Sequence, residues 1–178
     1  MNNIKIVAIS GSLRKASYNT AVLEALKQMA PEYVEIIIGD IGTLPLFNPD
    51  REGEFIPALE NLKSSLAEAS GLIIASPEYA HGISGPMKNA LDWLVSGVEF
   101  PNKPIMLINT SPRASHAAES LREVLKTMSG VIIESACLSV PLLSSGLDKN
   151  GIVANPAICA MLKASLSEFC RDIRAHRL

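Results

Sequence analysis

The chain has 178 residues, 48% of them hydrophobic and 19% charged, which suits one domain with its own core and excludes a disordered chain. Sixteen Lys and Arg against eighteen Asp and Glu leave a formal charge of -2, without the overall basic field that recruits nucleic acid. Cys137, Cys159 and Cys170 form no C-x-x-C pair and His81, His116 and His176 are scattered, so neither a disulfide framework nor a metal site is expected, and a reducing, cytoplasmic setting fits.

The first element reads as a buried strand, an apolar run from Ile4 to Ile9 with no charged leader or small-residue cleavage site before it. Helical spacing of Ala21, Val22, Ala25, Leu26 and Met29 follows, then a second strand from Val34 to Ile38. The irregular segment from Gly42 to Glu54, carrying Leu44-Pro45-Leu46-Phe47-Asn48-Pro49-Asp50, is too apolar for a solvated linker. It folds over the sheet or touches a partner subunit on one reading, and is an ordinary packed loop on the other. A stripe of Leu59, Leu62, Leu66 and Ala69 leads into a third strand, Gly71 to Ala75.

The third helix carries Met87, Ala90, Leu91, Leu94 and Val95, with Ser84 as its cap and Pro86 in its first turn. Trp93 lies off that stripe, which favours a subunit interface slightly over packing under Val98-Glu99-Phe100-Pro101. A fourth strand, Pro104 to Ile108, precedes a stripe of Ala117, Leu121, Val124, Leu125 and Met128. A fifth strand, Val131 to Leu138, comes before a last helix from Asn155-Pro156 through Ile158, Leu162, Leu166, Phe169 and Ile173. No uncharged apolar stretch reaches the roughly 18 residues that crossing a bilayer requires. Five buried strands alternating with helices predict one α/β domain over residues 1–178. Its parallel sheet has helices on both faces and a ligand crevice at the carboxyl ends of the strands.

Chemistry in such a fold sits where strands give way to helices. The first junction, Ser10-Gly11-Ser12-Leu13-Arg14-Lys15-Ala16-Ser17-Tyr18-Asn19-Thr20, combines a helix N-terminus with hydroxyls, an amide and two cations, a set suited to one terminal phosphate. It has neither the G-x-G-x-x-G of a dinucleotide loop nor the G-x-x-x-x-G-K-[ST] of a nucleoside triphosphate loop. A plainer account, with Ser17 merely capping the helix and the cations solvated, stands at even weight. The second junction, from Ser76 to Trp93, brings Pro77, Gly82 and Gly85 into a loop able to present backbone groups edge-on to a flat heterocycle. Glu78 has no visible partner that would make it a general base, His81 reads as a loop residue, and Tyr79 either stacks on a ring or packs on its own loop.

The motif Gly11-Ser12-Leu13-Arg14-Lys15 with Ser17 and Asn19, then Pro77-Glu78-Tyr79, then Gly85 and Lys88-Asn89-Ala90-Leu91-Asp92-Trp93, resembles the NADPH-dependent FMN reductase family of quinone, chromate and azo-dye reductases. The resemblance runs from the first strand to the fifth. It implies a flavodoxin-like fold, a five-stranded sheet in the order 2-1-3-4-5, and noncovalent FMN reduced by NADPH or NADH. The FMN phosphate is expected on Ser12, Arg14, Ser17 and Asn19 with the neighbouring Ser10, Tyr18 and Thr20. The isoalloxazine is expected against Pro77, Glu78 and Tyr79 and the following Ala80, His81 and Gly82, with Thr110 and Ser111 at the ring edge.

No side chain is expected to be catalytic, since the flavin carries the redox chemistry, and ping-pong turnover to a small-molecule acceptor follows. The family implies a homodimer or homotetramer. Two departures stand out: Ala80-His81 replaces an Asn followed by Gly, and Asn109-Thr110-Ser111-Pro112-Arg113 replaces a Gly-rich stretch. Arg113 reads as a solvated helix-start residue or as a contact for the 2'-phosphate of NADPH. The near-balanced charge argues against an acidic one-electron carrier, the two matched loops against a flavin-free regulator, and no strand-end carboxylate suggests a magnesium-dependent phosphoryl transferase.

Overall fold

The computed structural model describes residues 3–111, 113 and 115–175; Pro112 in the stretch after the fourth strand, and His176, lie outside the described residues. The strands in chain order are β1 (Ile4–Ser10), β2 (Val34–Gly39), β3 (Gly71–Ala75), β4 (Glu78–Tyr79), β5 (Gly82–Ile83), β6 (Pro104–Asn109), β7 (Val131–Ile132) and β8 (Leu138–Ser139). The helices are α1 (Tyr18–Met29), α2 (Pro57–Glu68), α3 (Gly85–Leu94), α4 (Ser115–Thr127), α5 (Lys149–Ala154) and α6 (Pro156–Ala175).

The main sheet is parallel in the order β2-β1-β3-β6-β7, with β8 pairing further along β6. Setting aside the β4–β5 hairpin, this is the expected 2-1-3-4-5 order of a flavodoxin-like fold. Alternation along β1 divides its side chains between the two faces. Ile4, Ile6 and Ala8 pack in one cluster with Val22, Leu26, Leu166 and Phe169 of α1 and α6. Val7 and Ile9 pack in the other with Leu62 and Leu66 of α2, Leu91 of α3 and Leu125 of α4. Every residue of β3 is buried, as expected of a central strand covered on both sides.

Three expectations need correction. The run Val131 to Leu138 is not one continuous strand; β7 and β8 flank a 3-10 turn at Glu134–Ala136. In the gap the Leu107 N–H donates to the Cys137 Sγ at 3.2 Å, and the Ser165 hydroxyl donates to the Ala136 carbonyl, so side chains replace strand partners. Val95 is not part of the core stripe but the exposed C-cap of α3. Trp93 is 2% exposed and therefore offers no surface to a partner.

The Trp93 indole N–H donates to the Pro45 carbonyl at 2.8 Å, and its ring meets Phe47 edge-on at 5.1 Å. Asn89, one turn earlier, donates to the same carbonyl at 3.0 Å and accepts from Phe47 N–H at 2.8 Å. The covering segment is thus the apolar loop from Gly42 to Glu54, not the one after α3. Residues Asn89 and Trp93 of the Lys88-to-Trp93 motif serve to fasten that loop.

Candidate functional site

A cleft of about 760 Å³ opens at the carboxyl ends of β1, β3 and β6, where a doubly wound sheet binds its ligands and at a size suited to a cofactor. Its first wall is the turn from β1 into α1. Gly11 must lie close to the second loop: its N–H donates to the Ala75 carbonyl at 2.8 Å, and a Cβ there would sit 2.3 Å from the Ser76 Oγ. The buried Ser84 hydroxyl donates to the Gly11 carbonyl at 2.6 Å while accepting from Met87 N–H to cap α3. One side chain thus ties the two loops together.

Within the first loop the hydroxyls divide their roles. Ser10 does not line the cleft; its Oγ accepts from Ser12 N–H at 3.2 Å and pairs with the Thr20 hydroxyl at 2.9 Å, bracing the turn. Ser17 caps α1 by accepting from Thr20 N–H and also lines the cleft, so capping does not take it out of the cleft wall. Ser12, Arg14, Tyr18, Asn19 and Thr20 line the same wall with Lys15. The first N–H groups of α1 precede any intrahelical acceptor and carry the positive end of its dipole. Among the described residues Arg14, Lys15 and Arg113 make no ion pair, and all three line the cleft, leaving their charge available to an anion.

The second wall comprises Ser76, Pro77, Glu78 and Tyr79, with Tyr79 half exposed. Beyond it β4 and β5 form a two-residue hairpin whose turn residues, Ala80 at φ 49° and His81 at φ 60°, both adopt left-handed backbone, the geometry of a type I′ turn. Ala80, His81 and Gly82 do not line the cleft; Ala80 and His81 form the turn of the hairpin and Gly82 begins its second strand. The missing partner of Glu78 is now visible. Its Oε2 accepts from Ala117 N–H in the first turn of α4 at 2.9 Å, and its Oε1 lies 3.1 Å from the His81 Nδ1. The Ala117 N–H holds the Glu78 carboxyl below the usual Glu range, with His81 adding to the effect against partial burial. Because the folded pKa lies below the unfolded one, this contact stabilises fully above the ordinary Glu pKa and fades as pH falls through the lowered value.

The third wall follows β6. Thr110 is buried and donates from its hydroxyl to the Asn19 Oδ1 at 3.0 Å, locking the first wall to the third, while Ser111 N–H donates to Asn109 Oδ1 at 3.0 Å. A fourth wall, Leu143 and Gly146 to Asn150, has no counterpart among the expected site residues. It is anchored by Gly146 N–H donating to the Tyr18 hydroxyl at 3.0 Å and ends in α5, capped by Asp148. The sequence signal for it was the cap pattern of Asp148 with Gly151 three residues on, after the turn-forming Ser144-Ser145-Gly146.

The three thiols lie away from this cleft: burial pushes Cys170 up to about 11 and raises Cys137, as for structural thiols. A cationic, hydroxyl-lined end beside a helix N-terminus, continuous with a slot between a hairpin and the β6 loop, fits a phosphate joined to a planar ring. These residues therefore fit FMN.

Comparison with known proteins agrees. The family model of the NADPH-dependent FMN reductases matches residues 4–142. A 2-hydroxy-1,4-benzoquinone reductase of a Burkholderia species is 30% identical over 181 residues, covering 98% of this chain and 99% of that protein. An NAD(P)H-dependent FMN reductase of Pseudomonas aeruginosa is 37% identical over 113 residues, 62% of this chain and 61% of that one. Among solved structures, the flavoenzyme NAD(P)H:(acceptor) oxidoreductase of Paracoccus denitrificans superposes with a TM-score of 0.82 at 25% identity, covering 97% of this chain and 98% of that one. The chain belongs to the NADPH-dependent FMN reductase family and is an FMN-dependent oxidoreductase that draws its electrons from NAD(P)H.

Proposed function

We propose that this enzyme, a single unit over residues 1–178, reduces small-molecule acceptors of the quinone, azo, metal-oxyanion or free-flavin kind at the expense of NAD(P)H. The observation that carries the reading is the cleft itself, with uncommitted cations at its phosphate end and a hairpin slot at its ring end. FMN supplies hydride acceptance and donation when bound, and the protein supplies binding and orientation. Arg14, with the N–H groups of Tyr18 and Asn19, holds the phosphate; Ser12 and Ser17 add hydroxyl contacts. The β4–β5 hairpin sets one edge of the ring slot, and Thr110 and Ser111 the other. Tyr79, half exposed at the mouth, shields one side of the slot while leaving the entry open to NAD(P)H and then to the acceptor.

Among the described residues no helix is long and apolar enough to cross a membrane. The proposal of a cytoplasmic location without nucleic-acid partners is supported by the thiol usage and the charge balance. Homo-oligomerisation is supported by Leu46, Phe55, Val95 and Val98, large apolar side chains left exposed where the Gly42–Ile56 segment meets the end of α3.

The test is to load the protein with FMN, remove free flavin, and add NADPH or NADH without oxygen while recording the visible spectrum. Rapid bleaching of retained flavin is expected. Arg14→Ala should weaken FMN binding about tenfold, the loss of one charge-assisted contact, without altering far-ultraviolet dichroism. Retained flavin that neither nicotinamide bleaches would point to a one-electron carrier instead.

A further inference from the structure

Glu78 lines the cleft from β4, while its side chain reaches away to the start of the helix that follows the third wall. Its main chain lies in β4, between Pro77 and Tyr79, both of which line the ring slot. Its carboxylate crosses to Ala117, 39 residues away, at the start of the helix that follows Thr110, Ser111 and Arg113. The side chain is 13% exposed. The turn it supports is one that resists forming unaided, because Ala80 and His81 both occupy left-handed backbone outside glycine. His81 is held from two sides, by the Glu78 Oε1 and by an edge-on contact with the His116 ring of α4 at 4.5 Å.

We propose that Glu78 is a positioning residue. Its carboxylate is a strut between the hairpin and the N-terminus of α4 that sets the width of the slot receiving the flavin ring. This rests on the reading of the cleft as an FMN site. The role is one of reach and hydrogen-bond acceptance, so it separates from a charge role or a proton-transfer role by the side chain chosen to replace it. Gln keeps the length and still presents an oxygen to the Ala117 N–H. Asp keeps the charge but is one methylene too short to span the same gap from the same backbone. Ala keeps neither.

The test compares Glu78→Gln, Glu78→Asp and Glu78→Ala as full-length proteins stripped of flavin. FMN affinity is read by fluorescence titration, and folding by far-ultraviolet dichroism and thermal melting without FMN. Gln should bind FMN within about threefold of the unaltered protein, while Asp and Ala should bind about tenfold more weakly. The Gln–Asp contrast carries the test even where the Ala variant does not fold. Asp behaving normally with Gln impaired would overturn the proposal in favour of a charge role. All variants binding FMN normally, with only the flavin-free melting temperature lowered, would overturn it by reducing Glu78 to a helix cap. Failure of the unaltered protein to retain FMN would sink the FMN reading itself rather than this proposal alone.

Discussion

Ala80 occupies a backbone position that its side chain does not favour. At φ 49°, as the first of two residues in a type I′ turn, it stands where Asn or Gly is preferred. Asn at this point would suit the turn's backbone better than Ala does, and Ala80 itself does not line the cleft. Ala80→Asn is therefore expected to stabilise the protein by about 0.5–1 kcal/mol, measured by urea denaturation, with FMN affinity unchanged. A loss of stability would mean that the turn is held in this geometry by contacts that an Asn side chain disrupts.

Around the cleft, single side chains add cross-links between elements to the backbone pairing of β1, β3 and β6. Ser84 joins the β1–α1 turn to the start of α3, Thr110 with Asn19 joins β6 to α1, and Tyr18 joins α1 to the segment before α5. Of these, Ser84 is fully buried and serves as both cap and cross-link. Replacing it with Ala removes the cap and leaves the Gly11 carbonyl without that donor. The expected loss is about 2 kcal/mol in urea denaturation, with weaker FMN retention because both loops shift. Ser17→Ala at the more open cap of α1 should cost about 1 kcal/mol.

Over the whole molecule, two apolar clusters clasp a parallel sheet, and the three most exposed of the large apolar side chains lie on two stretches that meet. Leu46, Phe55 and Val98 are each at least 80% exposed, and the two stretches carrying them are tied by the Ser96 hydroxyl donating to the Glu52 carboxylate. For the homo-oligomer proposed above, Phe55→Glu combined with Val98→Lys is expected to give monomers in light scattering. Stability of the single chain should change by no more than about 0.5 kcal/mol, since these side chains pack on little within it. An unchanged mass would overturn this face as the proposed subunit contact.

Much of this architecture was legible in the residues alone, because the signals were local. The buried strands Ile4 to Ile9 and Gly71 to Ala75, the helical stripes, the Ser17 and Ser84 caps and the Gly11–Ser12 turn each announce themselves within a few positions. The cleft residues Ser12, Arg14 to Thr20 and Pro77 to Tyr79 were legible for the same reason. Contacts between distant parts of the chain settled the rest. Trp93 looked like an interface residue until Pro45, 48 positions away, took its indole N–H. The continuous fifth strand gave way to a turn once Cys137 met Leu107 and Ser165 met Ala136. Glu78 looked partnerless because the N–H that orients it comes from a helix formed 39 residues later, and periodicity carries no information about which helix start faces which strand end.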